Sequence, residues 1–411
     1  MKRLNISTII ILTLFIAFLI RLPLTPIEGD PYDLGNLKSW TKSTVTEGVS
    51  NAPNTKSYPN LPFPSYLFYL ILLKPLGIFY QHFISPSFAF NNIGFNILLK
   101  IFPILFDLLT GLFIFLILRK STKLKWAYLA MLFYLFNPAI IYESSYWGQT
   151  DSIHTLFILS SVFLSVKKKF TWSWICMAIG IFFKFQTIII LPLVFLLNLK
   201  GKRIKNTLKN LLIFFILIVL VFTPFFIIHK ENILRRIATS ISYYPWLSSK
   251  AFNIWWPVQI IKGQLIQDTD LIFSPINYRH IGLIMFACAY VFVLYFLNKK
   301  HDSKSIWLAA SFVALAFFML PTEMHERYLF PIFALLSMIW IQNKKLWPVY
   351  GILSVTFFLN LIYALPLPFM SEASRVELGN ASVAIVLVNL GVFIYFIRLM
   401  VQQLRQPKYA D

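Results

Sequence analysis

Charged residues are scarce in this 411-residue chain, at 13% of the sequence, and acidic residues are the scarcest, with 16 against 37 Lys and Arg. Soluble domains carry roughly 25% charged residues, so the composition excludes an ordinary soluble protein. The 14 glycines and 22 prolines are too few for a low-complexity chain. Cys176 and Cys288 both lie within apolar runs, so they predict buried thiols and say little about the redox compartment.

Hydrophobic residues make up 58% of the chain, and the mean hydropathy of +0.70 indicates an integral membrane protein. The net charge of +21 does not indicate nucleic-acid binding, because basic residues fall in short clusters between apolar runs. Seven such clusters hold 22 of the 37 Lys and Arg. The positive-inside rule therefore predicts that these clusters and both termini are cytoplasmic. The clusters are 2–3, 119–125, 167–169, 200–209, 299–304, 344–345 and the tail from Arg398.

The apolar runs predict an all-α polytopic membrane protein with a bundle of about 10–12 transmembrane helices. We expect one membrane-embedded domain, 1–411, with catalytic and donor-binding helices in 1–228 and C-terminal helices in 280–411. Its large first outer loop, 25–96, contains the Pro-broken run 61–80, which predicts interfacial helices. A second outer loop covers 229–279. The predicted membrane helices lie near 6–24, 97–118, 125–142, 152–166, 207–228, 280–297, 305–320, 328–341, 346–365 and 381–401.

The run 172–199 is too long for one tilted helix and has basic clusters at both ends. It predicts two short helices that meet at Lys184, inside the membrane. A lysine in an apolar run usually snorkels to an interface. The alternative, which we prefer, is that Lys184 binds an anionic head group.

The stretch 142–154 lies between two apolar runs, and we predict that it is a loop at the outer membrane face. Ionisable groups at such a border cost free energy to keep, so their clustering predicts a functional site. The alternative is that Asp151 caps a helix and that the aromatic rings belong to an interfacial belt. The candidate residues are Glu143, Tyr146, Trp147, Gln149, Asp151 and His154.

Two further candidates are the carboxylates at the start of the first outer loop, Asp30 and Asp33. A carboxylate at a membrane face is suited to take a proton from an acceptor hydroxyl. An Asp in this position is also a favoured helix cap, for a helix at 34–42. Spacing alone favours the cap.

The turn 321–328 packs four ionisable groups between two apolar helices. Arg327 suits a phosphate, because its guanidinium is planar and always charged. The alternative is an internal ion pair between Glu323 and Arg327, four residues apart. His325 and Glu326 have no second histidine four residues on, so the turn is not a metalloprotease helix. No spacing of His, Asp and Glu predicts a metal cage, and no cofactor is predicted.

Three segments resemble the Gpi18-like mannosyltransferases of prokaryotes, which belong to the polytopic GT-C glycosyltransferases. They are 146–152 (YWGQTDS), 183–186 (FKFQ) and 324–331 (MHERYLFP). The pattern of Asp33, Leu37 and Trp40, followed by Tyr58 and Pro59, is similar as well. The resemblance extends to about residue 331. It implies a GT-C-like bundle, a polyprenyl-phosphate sugar donor and a catalytic carboxylate in the first outer loop. By position that carboxylate is Asp33, with Asp30 as the rival.

The resemblance implies transfer of a hexose, mannose in that family, to an acceptor hydroxyl of a glycan, lipid or protein by inverting displacement. We expect Lys184 and Arg327, helped by His325, to bind the donor phosphate. The expected sugar- or acceptor-binding residues are Glu143, Tyr146, Trp147, Gln149, Asp151, His154 and Glu326.

The expected location is the plasma (inner) membrane of a prokaryote, with the site facing the outside and membrane lipid as a partner. Nucleic acid is not an expected partner. Two rival functions stay open: a transporter of lipid-linked sugar, which should show broken helices in both halves, and a binding or assembly subunit without chemistry.

Overall fold

The computed structural model describes residues 5–49, 69–201, 204–240 and 244–406. They form two compact units, Met1–Tyr243 and Tyr244–Asp411. Among these residues, six helices are long and apolar enough to cross a membrane, or seven if one bent pair is counted as a single span. Four shorter apolar helices accompany them. The predicted all-α polytopic fold is confirmed, and the protein is an integral multi-pass membrane protein.

The first unit is built from α-helices joined by short π and 3₁₀ segments. The π-helices are Tyr69–Leu73 and Tyr142–Trp147, and the 3₁₀ helices are Leu22–Leu24 and Phe185–Ile190. The α-helices are α1 (Ile6–Arg21), α2 (Pro31–Thr46), α3 (Lys74–Phe83), α4 (Ile93–Leu118), α5 (Leu124–Leu135), α6 (Pro138–Ile141), α7 (Asp151–Val166), α8 (Phe170–Phe183), α9 (Leu191–Gly201) and α10 (Ile204–Ser240).

Helix α4 is at the centre of the contacts in this unit, because it packs against α1, α2, α3, α5 and α7. The described part of the loop predicted to be the first outer loop, 25–49 and 69–96, shares a buried core with it. Tyr80 of α3 stacks on Phe95 of α4, with ring centroids 4.0 Å apart. Leu34 of α2 and Ile153 of α7 belong to the same cluster. The start of α2 is therefore held close to the start of α7.

Two helix breaks differ in how well the sequence predicted them. The predicted helix 125–142 is bent by 47° between α5 and α6. Asn137 accepts the N–H of Ala139 there, and Pro138 begins the new helix, which its fixed φ favours. The predicted break at Lys184 is confirmed: α8 ends at Phe183, and Lys184 is extended, with φ −152° and ψ 123°.

Helix α3, which lies in the predicted interfacial segment, carries apolar side chains on two faces. Leu76 and Tyr80 are buried, whereas Phe79 and Phe83 on the other face are 47% and 70% exposed. The earlier part of the predicted segment 61–80, together with Tyr58 and Pro59, lies outside the described residues.

The second unit also differs from the sequence predictions in places. The predicted helix 328–341 is divided, since a 3₁₀ turn at Glu326–Leu329 precedes the short helix that Pro331 begins. Cys288 is exposed, so the prediction of a buried thiol is wrong for it: an apolar helix face need not pack on protein. The α-helices are α11 (Trp256–Lys262), α12 (Tyr278–Lys299), α13 (Ser303–Met319), α14 (Pro331–Ser337), α15 (Trp347–Ala364) and α16 (Glu372–Arg405).

The strands of the second unit are short. β1 (Ser248–Ser249) pairs in parallel with β4 (Met324–His325), with Ser249 opposite His325. β2 (Leu271–Phe273) pairs antiparallel with β3 (Ile276–Asn277). The first pair fixes the backbone of the turn that carries the predicted residues of this unit.

Candidate functional site

The stretch predicted as a loop begins as a π-helix, Tyr142–Trp147, so that part of the prediction is wrong. The N–H groups of Gly148 and Gln149 both donate to the carbonyl of Glu143, at 3.0 and 3.1 Å. Gly148 ends the π-helix with φ +87°, a conformation that favours glycine. Single-turn π-helices are frequent at functional sites, because the wide turn redirects the side chains that follow it.

The first outer loop lies directly on this turn. Gly29 has φ +72°, and a Cβ there would come within 2.5 Å of the Trp147 carbonyl oxygen and 2.8 Å of that of Tyr146. A larger residue would separate the two backbones. The close approach places the start of α2 against the end of the π-helix.

The two candidate acids of the loop have different surroundings. Asp30 is the N-cap of α2, where its side chain accepts the N–H of Asp33 at 2.8 Å. Asp33 is half-buried, and its Oδ2 accepts hydrogen bonds from Trp147 Nε1 at 2.9 Å and Gln149 Nε2 at 2.5 Å. Two donors on one oxygen hold the Asp33 carboxylate in a defined orientation.

A second group of polar side chains surrounds Asp151, at the first turn of α7. Lys184 Nζ binds Asp151 Oδ2, and His154 Nε2 lies 3.3 Å from Oδ1. The other ring nitrogen of His154 lies 3.4 Å from Thr187 Oγ1. Asp151 is 1% exposed, so this ion pair is buried on the carboxylate side, while the Lys184 side chain keeps 17% exposure. The lysine that the sequence placed at a helix break is thus neutralised by an acid of the predicted site.

Glu143 completes this group. Its carboxyl is fully buried, and neither oxygen receives a hydrogen bond from a donor group among the described residues. The Asp151 carboxylate and the Lys184 ammonium group both act on it electrostatically.

The two aromatic residues among the expected sugar- or acceptor-binding residues are both buried. Tyr146 is 5% exposed and packs on Tyr142, with ring centroids 4.7 Å apart. Trp147 is 3% exposed, and its indole N–H is the one that reaches Asp33. What Trp147 demonstrably does in the structure is orient that carboxylate.

The predicted residues of the second unit lie around strand β4. Glu326 is buried and accepts Arg327 Nη1 at 2.7 Å, and His325 Nδ1 lies 4.0 Å from the same carboxyl. The His325 ring packs edge-on against Tyr244 and Tyr328.

The alternative ion pair between Glu323 and Arg327 is not formed. Glu323 instead accepts Arg279 Nη2 at 2.7 Å, and Arg279 also binds Asp268 through Nε and Nη2. Burial and the neighbouring Asp268 carboxylate raise the pKa of Glu323 to about 7, and Arg279 opposes them.

Sequence reasoning missed three charged residues of the first unit that have 0% exposure: Arg21, Lys100 and Asp107. Arg21 donates to the Leu135 carbonyl at 2.9 Å and lies 3.6 Å from Asp107 Oδ2, with both side chains fully buried. Lys100 Nζ donates to two backbone carbonyls. A signal was available, because polar side chains recur at 96, 100 and 107 in an otherwise apolar helix and so share one face.

Among the residues that the structure describes, no group of three or more His, Cys, Asp or Glu is arranged to hold a metal ion. In the first unit, the carboxylates of Asp33 and Asp151 are instead each surrounded by nitrogen atoms of neighbouring side chains.

The sequence profile of the family described as GPI transamidase subunit PIG-U matches residues 48–258, just over half of the chain. The chain belongs to the PIG-U family. PIG-U is a GT-C-like polytopic membrane family, so the superfamily that the sequence resemblance implied is supported, although not the Gpi18-like mannosyltransferases specifically. The PIG-U match begins after Asp33. It contains the π-helix Tyr142–Trp147, Asp151 and Lys184. No curated protein sequence matches the chain.

Proposed function

We propose that this PIG-U family member is a glycosyltransferase that moves a hexose, mannose in the first instance, from a polyprenyl-phosphate sugar to an acceptor hydroxyl. The acceptor oxygen attacks the anomeric carbon while Asp33 takes its proton. The bond from that carbon to the phosphate oxygen breaks, and the electron pair leaves with the polyprenyl phosphate. Attack opposite to the leaving group inverts the anomeric configuration.

The observation that carries the proposal is the orientation of Asp33. A general base has to be held where the acceptor proton will be, and Trp147 and Gln149 supply two hydrogen bonds to one oxygen of this carboxylate. Asp30, by contrast, is used as a helix cap. The geometry therefore favours Asp33 over Asp30 as the base.

Lys184 is the proposed partner of the donor phosphate. Its side chain is partly exposed, whereas Asp151, which pairs with it, is buried. The donor phosphate would compete with Asp151 for the ammonium group. The ammonium group would then stabilise the negative charge that develops on this phosphate as it leaves. The roles of His325, Glu326 and Arg327 in the second unit rest on the sequence resemblance alone.

The proposed location is a prokaryotic plasma membrane, with the site on the outer face and both termini inside. The distribution of basic residues supports this orientation. Cysteine labelling of intact cells tests it: positions near 151 should react only from the outside.

The decisive experiment is transfer by purified protein in liposomes that contain labelled polyprenyl-phosphate mannose or glucose. Asp33→Asn should lower turnover by ~10²–10⁴-fold and leave donor binding intact, because the base is lost and the pocket is not. Asp30→Asn is the matched control, since it sits three residues away on the same helix and Asn also caps helices well. Full turnover by Asp33→Asn together with loss in Asp30→Asn would show that the base is wrongly assigned.

The family's designation as a GPI transamidase subunit favours a second candidate function, a non-catalytic subunit that binds a lipid-linked glycan for a partner enzyme. That candidate predicts donor binding by the purified protein with no transfer to any acceptor. A third outcome, movement of intact donor across the bilayer, would indicate a transporter.

A further inference from the structure

The proposed mechanism does not use one lysine that is fully buried in the first unit. Lys100 lies in α4 and has 0% exposure. Its Nζ donates to the Ile27 carbonyl at 2.7 Å and to the Tyr146 carbonyl at 2.6 Å. One side chain thus joins the first outer loop to the end of the π-helix.

The Tyr146 carbonyl immediately precedes Trp147, and the Ile27 carbonyl lies six residues before Asp33. The chain runs from Ile27 through Gly29 into the first turn of α2, and from Tyr146 into Trp147 and Gln149. The stem of Lys100 is packed as closely as its head, because a Cβ on Gly148 would lie 3.0 Å from Lys100 Cε and 3.1 Å from Cγ. The neighbouring Asn96 adds a bond of the same kind, from its Nδ2 to the Pro26 carbonyl at 3.0 Å.

Lys100 forms no ion pair among the described residues, and its two bonds are both to backbone carbonyls. A buried ammonium group without a counter-ion is costly. A methionine would have a similar length and would not carry that cost. What lysine adds at this position is a pair of N–H donors that hold two chain segments together.

We propose that Lys100 is a positioning residue that sets the location of the Asp33 carboxylate relative to Trp147 and Gln149. The inference rests on the proposed function for its catalytic consequence, but not for its structural one. By binding both carbonyls, Lys100 fixes the separation of the loop and the π-helix, and so the two hydrogen bonds at Asp33.

The test is Lys100→Met in the full-length protein, with two measurements. The first is hydrogen exchange at the amides of Asp33 and Leu34, which bond to Asp30 in the intact loop. Exchange should become faster in the variant. The second is steady-state transfer: a misplaced base lowers kcat, by about 10²-fold for a shift near 1 Å, while KM for the donor stays unchanged.

Asn198→Leu is the matched control. Asn198 is fully buried in the same unit and accepts two hydrogen bonds, from Trp174 Nε1 and Asn210 Nδ2, away from the loop. It should lower thermal stability without changing exchange at Asp33 or the ratio of kcat to KM. If Lys100→Met does not fold, Lys100→Arg carries the test, because it keeps the charge but displaces the donors, and the same two changes are expected.

Unchanged exchange at Asp33 and Leu34 in a folded Lys100 variant would overturn the inference, as would a raised donor KM with unchanged kcat. Failure of the proposed function can be distinguished from failure of this inference. In that case the wild-type protein transfers no sugar, yet the exchange measurement still reports whether Lys100 positions the loop.

Discussion

The hydrogen bonds from Trp147 and Gln149 to Asp33 allow the proposed base to be tested by a double-mutant cycle. Trp147→Phe and Gln149→Leu each remove one hydrogen-bond donor. Each puts an apolar side chain of related shape in its place. Hydrogen bonds to a charged group contribute about 1.5–3 kcal/mol each. Each 1.36 kcal/mol is tenfold in rate. Each variant should therefore lower kcat by about 10- to 100-fold if that orientation is needed in the transition state.

The cycle is completed in the Asp33→Asn background. Without the base, its orientation no longer matters to the rate. Trp147→Phe or Gln149→Leu should then cost little beyond the loss that Asp33→Asn already causes. Single-turnover transfer at saturating labelled donor is the assay, because it separates the chemical step from product release. Donor binding is measured alongside it.

The cycle also discriminates between two roles for Gln149. The sequence predicted that Gln149 holds a sugar hydroxyl, in which case its removal should raise the KM for the donor. If Gln149→Leu lowers turnover equally in both backgrounds, it acts on the substrate independently of Asp33 and the reasoning fails. Trp174→Phe is the control for Trp147→Phe, because it removes an indole N–H bonded to Asn198 at 2.9 Å elsewhere in the unit.

Three further predictions concern stability. Arg21→Met should destabilise the first unit by about 3–5 kcal/mol in thermal unfolding, because it leaves buried Asp107 unpaired, and adding Asp107→Leu should recover much of that loss. Gly148→Ala should cost about 1–2 kcal/mol, since φ is +87°; no change would refute that. The folded-state pKa of Glu323 is raised from 4.5 to about 7, so its stabilising contribution is full below pH 4.5 and is lost as pH rises through about 7. Glu323→Gln should remove that part of the pH dependence, and a slope that persists would contradict it.

The helices and breaks that the sequence predicted well are those with a strong local cause. Long apolar runs gave α1, α4, α12 and α15 close to their observed bounds, whereas α16 begins nine residues before the predicted start at 381. The break at Lys184 followed from a run too long to be one helix with basic clusters at both ends. The bend at Asn137 and Pro138 was missed, although the N-cap and proline signals were present, because the apolar run continued through them.

The residues of the candidate site could also be predicted from the sequence, but their hydrogen-bond and ion-pair partners could not. A polar cluster at 142–154 indicated a site because burying such groups costs free energy. Whether Trp147 binds a sugar or donates to Asp33 depends on a contact between residues 114 positions apart in the sequence. No local pattern contains that information.

Helix α4 shows what polar residues aligned on one side of an apolar helix can predict. Asn96, Lys100 and Asp107 are spaced by four and seven residues, so they lie on one side of a helix whose other positions are mostly apolar. Polar groups aligned in this way in a membrane helix have to face protein or water, because lipid cannot satisfy them. They therefore predict that this side of α4 contacts the rest of the first unit. The structure places the first outer loop, the π-helix and Arg21 against those three residues in turn. The side chains that join the loop to the π-helix at the proposed site are thus on α4, and they are not among the reactive groups that the sequence singled out.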